Sequence, residues 1–225
     1  MMRIVILLFL LLGVIDIVAQ PVQLNNQTLH ANKVDMSFTN LNGKVAVRVT
    51  KDSTVKDVDE ATFAKLKNIV FEDGTIEVKV LSRLLKTAKP DDRGFIGVAF
   101  RISEDNSKFE CLYIRPTNGR AEQQIRRNHA TQYFSFPDYK FFRLRKESPE
   151  MYESYADMGL DEWIQLKIVV KGKQALLFIN NAPQPALIVN DLKHGDNQKG
   201  SVGLFVDVGT EGFFSDLKIS RLPSN

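Results

Sequence analysis

Short runs in which apolar and polar residues alternate recur through most of the chain. They are Lys44–Thr50, Thr75–Leu81, Phe95–Ile102, Lys108–Arg115, Trp163–Val170, Ala175–Asn180, Ser201–Val208 and Phe213–Ile219. A period of two marks a strand with one buried face. Asp73-Gly74, Asn118-Gly119 and Lys171-Gly172 supply tight turns. Many short strands with turn signals, no internal repeat and no low-complexity linker predict an all-β fold, a two-sheet antiparallel jelly-roll sandwich. One segment offers two choices. Ser148-Pro149-Glu150 has the chemistry of a helix start, whereas Tyr152–Asp157 reads as a strand, and strand is the expectation.

Neighbours in a strand point to opposite faces, so the alternation sorts residues. Ile96, Val98, Phe100 and Ile102 share a core face with Leu112, Ile114, Val202, Leu204 and Val206. Gly97, Ala99, Arg101, Cys111, Tyr113, Arg115, Gly203, Phe205 and Asp207 take the other face. If a strand continues from Arg120 to Arg127, Ala121 and Ile125 point inward, and Glu122, Gln124 and Arg126 outward. Arginine, tyrosine and glutamine beside small Gly97 and Ala99 predict a groove floor. The small residues leave room, and the planar polar groups give paired hydrogen bonds. A solvated face with incidental arginines is the alternative.

Charge concentrates next to that face. Between Arg115 and Lys146 lie Arg115, Arg120, Arg126, Arg127, Lys140, Arg143, Arg145 and Lys146, opposed only by Glu122 and Asp138. Tyr133, Phe134, Phe136, Tyr139, Phe141 and Phe142 interleave. Basic groups with stacking rings hold single-stranded nucleic acid or sugars, and an exported chain favours sugars, acidic or otherwise polar. The chain's net charge of +3 is too mild to argue for nucleic acid. The ligand set read from the face and this run is Arg101, Tyr113, Arg115, Asn118, Arg120, Glu122, Gln124, Arg126, Tyr133 and Tyr139. The competing reading makes Phe134, Phe136 and Phe142 core and the charges solvated.

Export follows from the start of the chain. Met1–Arg3 is a short basic start, and the apolar run Ile4–Ile15 is too short to span a bilayer, which takes ~20 residues. This is the layout of a secretory signal over residues 1–20, with cleavage after Ala19 or Gln20. No cysteine follows it to take a lipid anchor. The expectation is a secreted or periplasmic monomer with one domain over residues 21–225 and no membrane span after processing. Cys111 is the only cysteine, so the core alone must stabilise an exported chain.

Most catalytic signatures are missing. There is no HExxH zinc spacing, no G-x-S-x-G elbow and no Walker loop. The run Asp191–Asp196 carries a weak calcium signal against a stronger reading as a loop, so no cofactor or metal is expected. Glycoside hydrolysis usually needs two carboxyl groups about 5 to 10 Å apart. Glu122 is the candidate base, with Glu211 or Asp207 as partner. Flanking Arg115, Arg120 and Arg126 should keep Glu122 ionised, and an ion-pair role suits it equally.

Taken together, "EDGTIEVKV", "RGFIGVAFRI" and "KGSVGLFVDVGTEGFFSDLKIS" resemble the concanavalin A-like lectin/glucanase superfamily over roughly Asp35 to Ser220. The resemblance implies a two-sheet jelly roll with a carbohydrate site on its concave face. Two branches of it compete. "GRAEQQI", with Glu122 and Gln124, and the ending Gly200–Phe205 with Phe214–Ile219 are similar to 3-keto-disaccharide hydrolases, with a one-residue difference in spacing around the glutamate. Laminin-G-like and lectin-like modules bind without cleaving. The E-x-D-x-x-E strand of the superfamily's glucanases does not occur. The leading expectation is glycan recognition; hydrolysis of a 3-keto disaccharide or glycoside and a sugar-free protein-interaction module are the alternatives.

Overall fold

The computed structural model describes residues 19–41 and 43–221. Most of the expected signal segment lies outside the described residues. Gln20 and Pro21 form strand β1 (Gln20–Pro21). The chain continues as β2 (Leu29–Asn32), β3 (Val34–Leu41), β4 (Lys44–Lys51), β5 (Phe63–Leu66), β6 (Gly74–Leu84), β7 (Ile96–Ile102) and β8 (Phe109–Ile114). Helices α1 (Pro116–Gly119) and α2 (Gln124–Asn128), strand β9 (Thr131–Phe136), helix α3 (Phe141–Glu147) and strand β10 (Glu153–Ser154) follow. Strands β11 (Ile164–Lys171), β12 (Gln174–Ile179), β13 (Leu187–Val189), β14 (Ser201–Val206) and β15 (Thr210–Arg221) complete it.

These strands form two antiparallel sheets. One has eight strands, ordered β13-β12-β11-β6-β15-β4-β3, with β1 added along β15. The other has seven, ordered β10-β9-β8-β7-β14-β5-β2. The chain changes sheet eight times, and three of these crossings, between β4 and β5, β6 and β7, and β14 and β15, matter for the site. Each change carries a loop across one end of the sandwich. Ile76, Val78, Val80, Val47, Val49, Leu166 and Ile168 meet Ile96, Val98, Leu112, Leu204 and Val206 in a core that excludes solvent. The eight alternating runs are all strands, within a few residues of their expected bounds, and the all-β jelly roll is present. Among the described residues no helix is long and apolar enough to cross a membrane.

Two local expectations are corrected. The strand expected over Arg120–Arg127 is replaced by α1, a bend and α2. Pro116 opens α1 and has no N–H to give to a ladder. None of the residues of α2 is buried, so no core face drives alternation there. The proposed helix start at Ser148 is instead the C-cap of α3, while Tyr152–Asp157 contains only the two-residue β10.

The larger correction concerns the outer face of the seven-stranded sheet. Gly97 pairs with Tyr113, Ala99 with Cys111 and Gly203 with Ala99, so the face assignment is as expected up to Phe100; a register shift then puts Ile102, expected in the core, beside Gly203. The face is not an open groove. Phe63, Phe109, Tyr113, Phe134 and Phe205 are buried there, with ring centroids 5.3 to 5.8 Å apart along the chain of contacts. A Cβ on Gly97 would come within 2.5 Å of the Tyr113 Cα. The space beside this glycine belongs to the neighbouring strand, not to a ligand.

Candidate functional site

The aromatic layer ends at a cavity of about 1000 Å³. Its walls come from the β4–β5 loop, the β6–β7 loop, the β14–β15 turn and helices α1 to α3. The β14–β15 turn needs glycine: Gly209 has φ +64, and a Cβ there would meet the Asp92 carboxylate at 2.0 Å.

Two buried charge networks form the floor. In the first, Asp207 Oδ1 accepts from Lys51 Nζ at 2.6 Å and from the Val208 N–H at 2.8 Å, and its Oδ2 accepts the Asp59 N–H at 2.8 Å. Asp59 Oδ2 accepts the N–H of Phe141 at 2.7 Å, which ties the β4–β5 loop to the start of α3. Burial, then the neighbouring Asp207 charge, pushes the Asp59 carboxyl up to about 7.

The second network centres on Arg115. It donates to Glu153 Oε1 at 3.0 Å, the His129 carbonyl at 3.1 Å, the Tyr113 hydroxyl at 2.9 Å and Gln132 Oε1 at 2.9 Å. Arg145 from α3 closes on both Glu153 oxygens. Burial alone would raise the Glu153 carboxyl, but the Arg145 hydrogen bond and the Arg115 charge outweigh it and hold it low. The Arg115 guanidinium lies 5.1 Å from the Tyr113 ring centre and 5.6 Å from that of Phe141. His129 is held below the ordinary histidine range by burial. Nearer the mouth, Arg126 donates to Asn118 Oδ1 at 3.2 Å, and Asn118 Nδ2 donates to the His129 carbonyl at 3.0 Å. Phe95, Phe141 and Ile125 give the walls apolar area.

The structure brings Tyr113, Arg115, Asn118, Arg126 and Asp207 together from the expected set. The others lie elsewhere. Arg101, with φ +54, turns to the far end of its strand and donates to the Glu72, Gly172 and Gly195 carbonyls and to Asp73. Tyr133 is core, its hydroxyl 2.7 Å from Glu110 Oε2. Tyr139 lies outside the cavity under Arg143, 4.2 Å from ring centre to guanidinium. Arg120 is exposed and paired with Asp157 and Glu162. Gln124 is exposed and donates to Asn128 at 2.7 Å. Glu122 is exposed on the bend before α2, outside the cavity lining. Arg115 and Arg120, expected to flank it, pair with other carboxylates. Glu211 pairs with Arg48 at 2.6 Å within the eight-stranded sheet. Asp191 of the weak calcium run accepts from Lys193 and Tyr152. Among the described residues no group of three or more His, Cys, Asp or Glu is arranged to hold a metal ion.

Sequence reasoning missed Asp59, Lys51, Glu153, Arg145, Phe95 and Phe141 as site residues. Arg145 and Phe141 stood inside the basic aromatic run. Asp59 lies in an irregular loop, where no periodicity assigns a face.

No protein-family model matches the sequence, and no curated protein sequence does. Solved structures share the fold. A carbohydrate binding module, CBM66 from Bacillus subtilis, matches with a TM-score of 0.53 at 12% identity, over 84% of this chain and 96% of that one. A protein from Parabacteroides distasonis provisionally described as a glycosyl hydrolase matches with a TM-score of 0.50 at 12% identity, over 84% and 94%. The chain therefore has the concanavalin A-like jelly-roll sandwich, a fold found in sugar-binding modules. Likeness at this identity defines the fold and no more.

Proposed function

We propose that the protein is an exported, monomeric glycan-binding protein and that the cavity is its carbohydrate site. The observation that carries this is the lining. Partly buried Phe95 and Phe141 line the wall beside the planar polar groups of Asn118 and Arg126, in a pocket of about 1000 Å³, the size range of small-ligand sites. Sugars use both features at once, ring C–H groups against aromatic faces and hydroxyls against amides and guanidinium groups.

One observation favours hydrolysis as a second reading. Asp59 and Asp207 occupy the same floor in different surroundings, Asp59 with its carboxyl pushed up by burial and Asp207 paired with Lys51. Two carboxyl groups in unlike surroundings are the equipment of glycosidases. A 3-keto disaccharide or glycoside is the substrate class that the "GRAEQQI" resemblance implies. A laminin-G-like binder is the non-catalytic counterpart.

The test is an oligosaccharide panel that includes 3-keto sugars, read by melting temperature and by mass spectrometry. A bound sugar at 100 times its Kd should add about 2.7 kcal/mol of stability, and Phe141→Ala should weaken that gain. New products point to the hydrolase. A panel without binding or products overturns both readings and leaves a protein-interaction module.

A further inference from the structure

Three buried side-chain polar atoms among the described residues have no hydrogen-bond partner: Asp59 Oδ1, Ser135 Oγ and Trp163 Nε1. Only Asp59 belongs to the cavity wall. Native proteins rarely leave such an atom unmatched, and exceptions point to a role.

The rest of Asp59 is fixed. Its backbone is left-handed, φ +52, a conformation that disfavours a side chain and persists where surroundings enforce it. Its N–H is held by Asp207 and its Oδ2 by the Phe141 N–H. Both contacts leave Oδ1 as the one free position.

The charged and titratable groups facing it come from four elements. Asp207 belongs to the β14–β15 turn and Lys51 to the end of β4. Arg115, Tyr113 and Cys111 belong to β8 and the residue after it; Lys140 and Arg145 belong to α3 and its N-cap. Each cation already has a carboxylate: Lys51 has Asp207, Lys140 has Glu60 at 2.5 Å, and Arg115 and Arg145 share Glu153. None is left to neutralise Asp59, and the adjacent Asp207 anion opposes a second negative charge.

We propose that Asp59, as a neutral carboxylic acid, donates a hydrogen bond from Oδ1 to an oxygen of the bound carbohydrate at the floor of the cavity. This rests on the carbohydrate reading of the site. Asp59 lines the cavity but has no exposed surface, so a ligand oxygen reaches Oδ1 only as the floor shifts to admit it at the bottom of the cavity. Binding then takes up a proton wherever free Asp59 is ionised. Affinity is constant below the free-state midpoint near 7 and falls ~10-fold per pH unit above it. His129, lowered by burial, stays neutral over that range and does not produce the same slope.

The experiment is titration calorimetry at pH 6.5, 7.5 and 8.5. The probes are cellotriose, a fructo-oligosaccharide, lactose and trigalacturonate, with wild type, Asp59→Asn and Asp59→Ala. Asparagine keeps the Phe141 acceptor and donates from Nδ2 at every pH. The expected result is a wild-type affinity ~10-fold weaker at pH 8.5 than at 7.5. Asp59→Asn should be flat and close to wild type at 6.5, and Asp59→Ala at least ~10-fold weaker throughout. A pH-independent wild type with a weakened Asp59→Asn would mean that the anion accepts from the ligand, and would overturn the proposal. So would wild-type affinity in a folded Asp59→Ala, or, should alanine fail to fold, a pH slope retained in Asp59→Asn. A panel from which wild type binds nothing overturns the carbohydrate reading itself.

Discussion

The seven-stranded sheet buries an arginine at each end, and the two ends differ. At the Arg101 end the guanidinium meets three carbonyls and Asp73. Nearby, Glu110 accepts from Tyr133 and from the His194 N–H at 2.9 Å. These contacts tie loops to the sheet. At the Arg115 end the hydrogen bonding is as dense, yet it surrounds a cavity and leaves Asp59 Oδ1 without a partner. A satisfied polar network specifies structure; an incompletely satisfied one beside a cavity is where a ligand has something to add.

The largest expected effect lies at the cavity end. Lys51→Met leaves Asp207 buried and unpaired beside Asp59 and should cost about 3–5 kcal/mol, read as a shifted urea midpoint. Asp59→Asn in that background removes one of the two carboxyl groups and should recover part of the loss. Arg101→Ala at the other end should cost about 2–4 kcal/mol while leaving glycan affinity of the folded fraction unchanged. A change in affinity would show that the two ends are coupled.

A smaller effect separates the ends by pH. The Asp59 carboxyl is raised from 3.8 to about 7, so the folded state holds a proton that the unfolded state releases. That stabilisation is complete below about 4 and is lost as pH rises through about 7. Between pH 5 and 8 the wild type should therefore lose stability relative to Asp59→Asn, on the order of 1–4 kcal/mol. Urea melts at both pH values measure it. An equal slope in the two proteins would place the titration on another group.

The two ends also differ in how far the sequence foretold them. Alternation identified β7, β8 and β14 and assigned Gly97, Cys111, Tyr113 and Phe205 to one face, because a strand's period is set by its own backbone. The same pattern put Arg101 and Arg115 on one face but carries no information on strand pairing. The antiparallel register, with Ile96 opposite Ile114 and Phe100 opposite Glu110, sets them at opposite ends. Thr131–Phe136 gave no alternation because nearly all of β9 is buried. Asp59 reaches the site through an irregular loop and Glu153 through the two-residue β10. Their partners include Phe141, 82 residues from Asp59, and Arg115, 38 residues from Glu153, and no local spacing encodes those.

The least disruptive substitutions test the site most directly. Arg126 is half-buried at the mouth, bonded only to neutral partners. Arg126→Ala should cost under about 1 kcal/mol of stability and weaken glycan binding ~10- to 100-fold, as expected for one lost charged hydrogen bond. Glu122→Gln is the contrast. Glu122 is exposed and outside the lining, so the change should stay within about 0.5 kcal/mol and leave affinity and any product formation as in wild type. If Glu122→Gln instead abolished products while Asp207→Asn did not, catalysis would belong to the bend before α2, and the cavity would be demoted to a binding subsite.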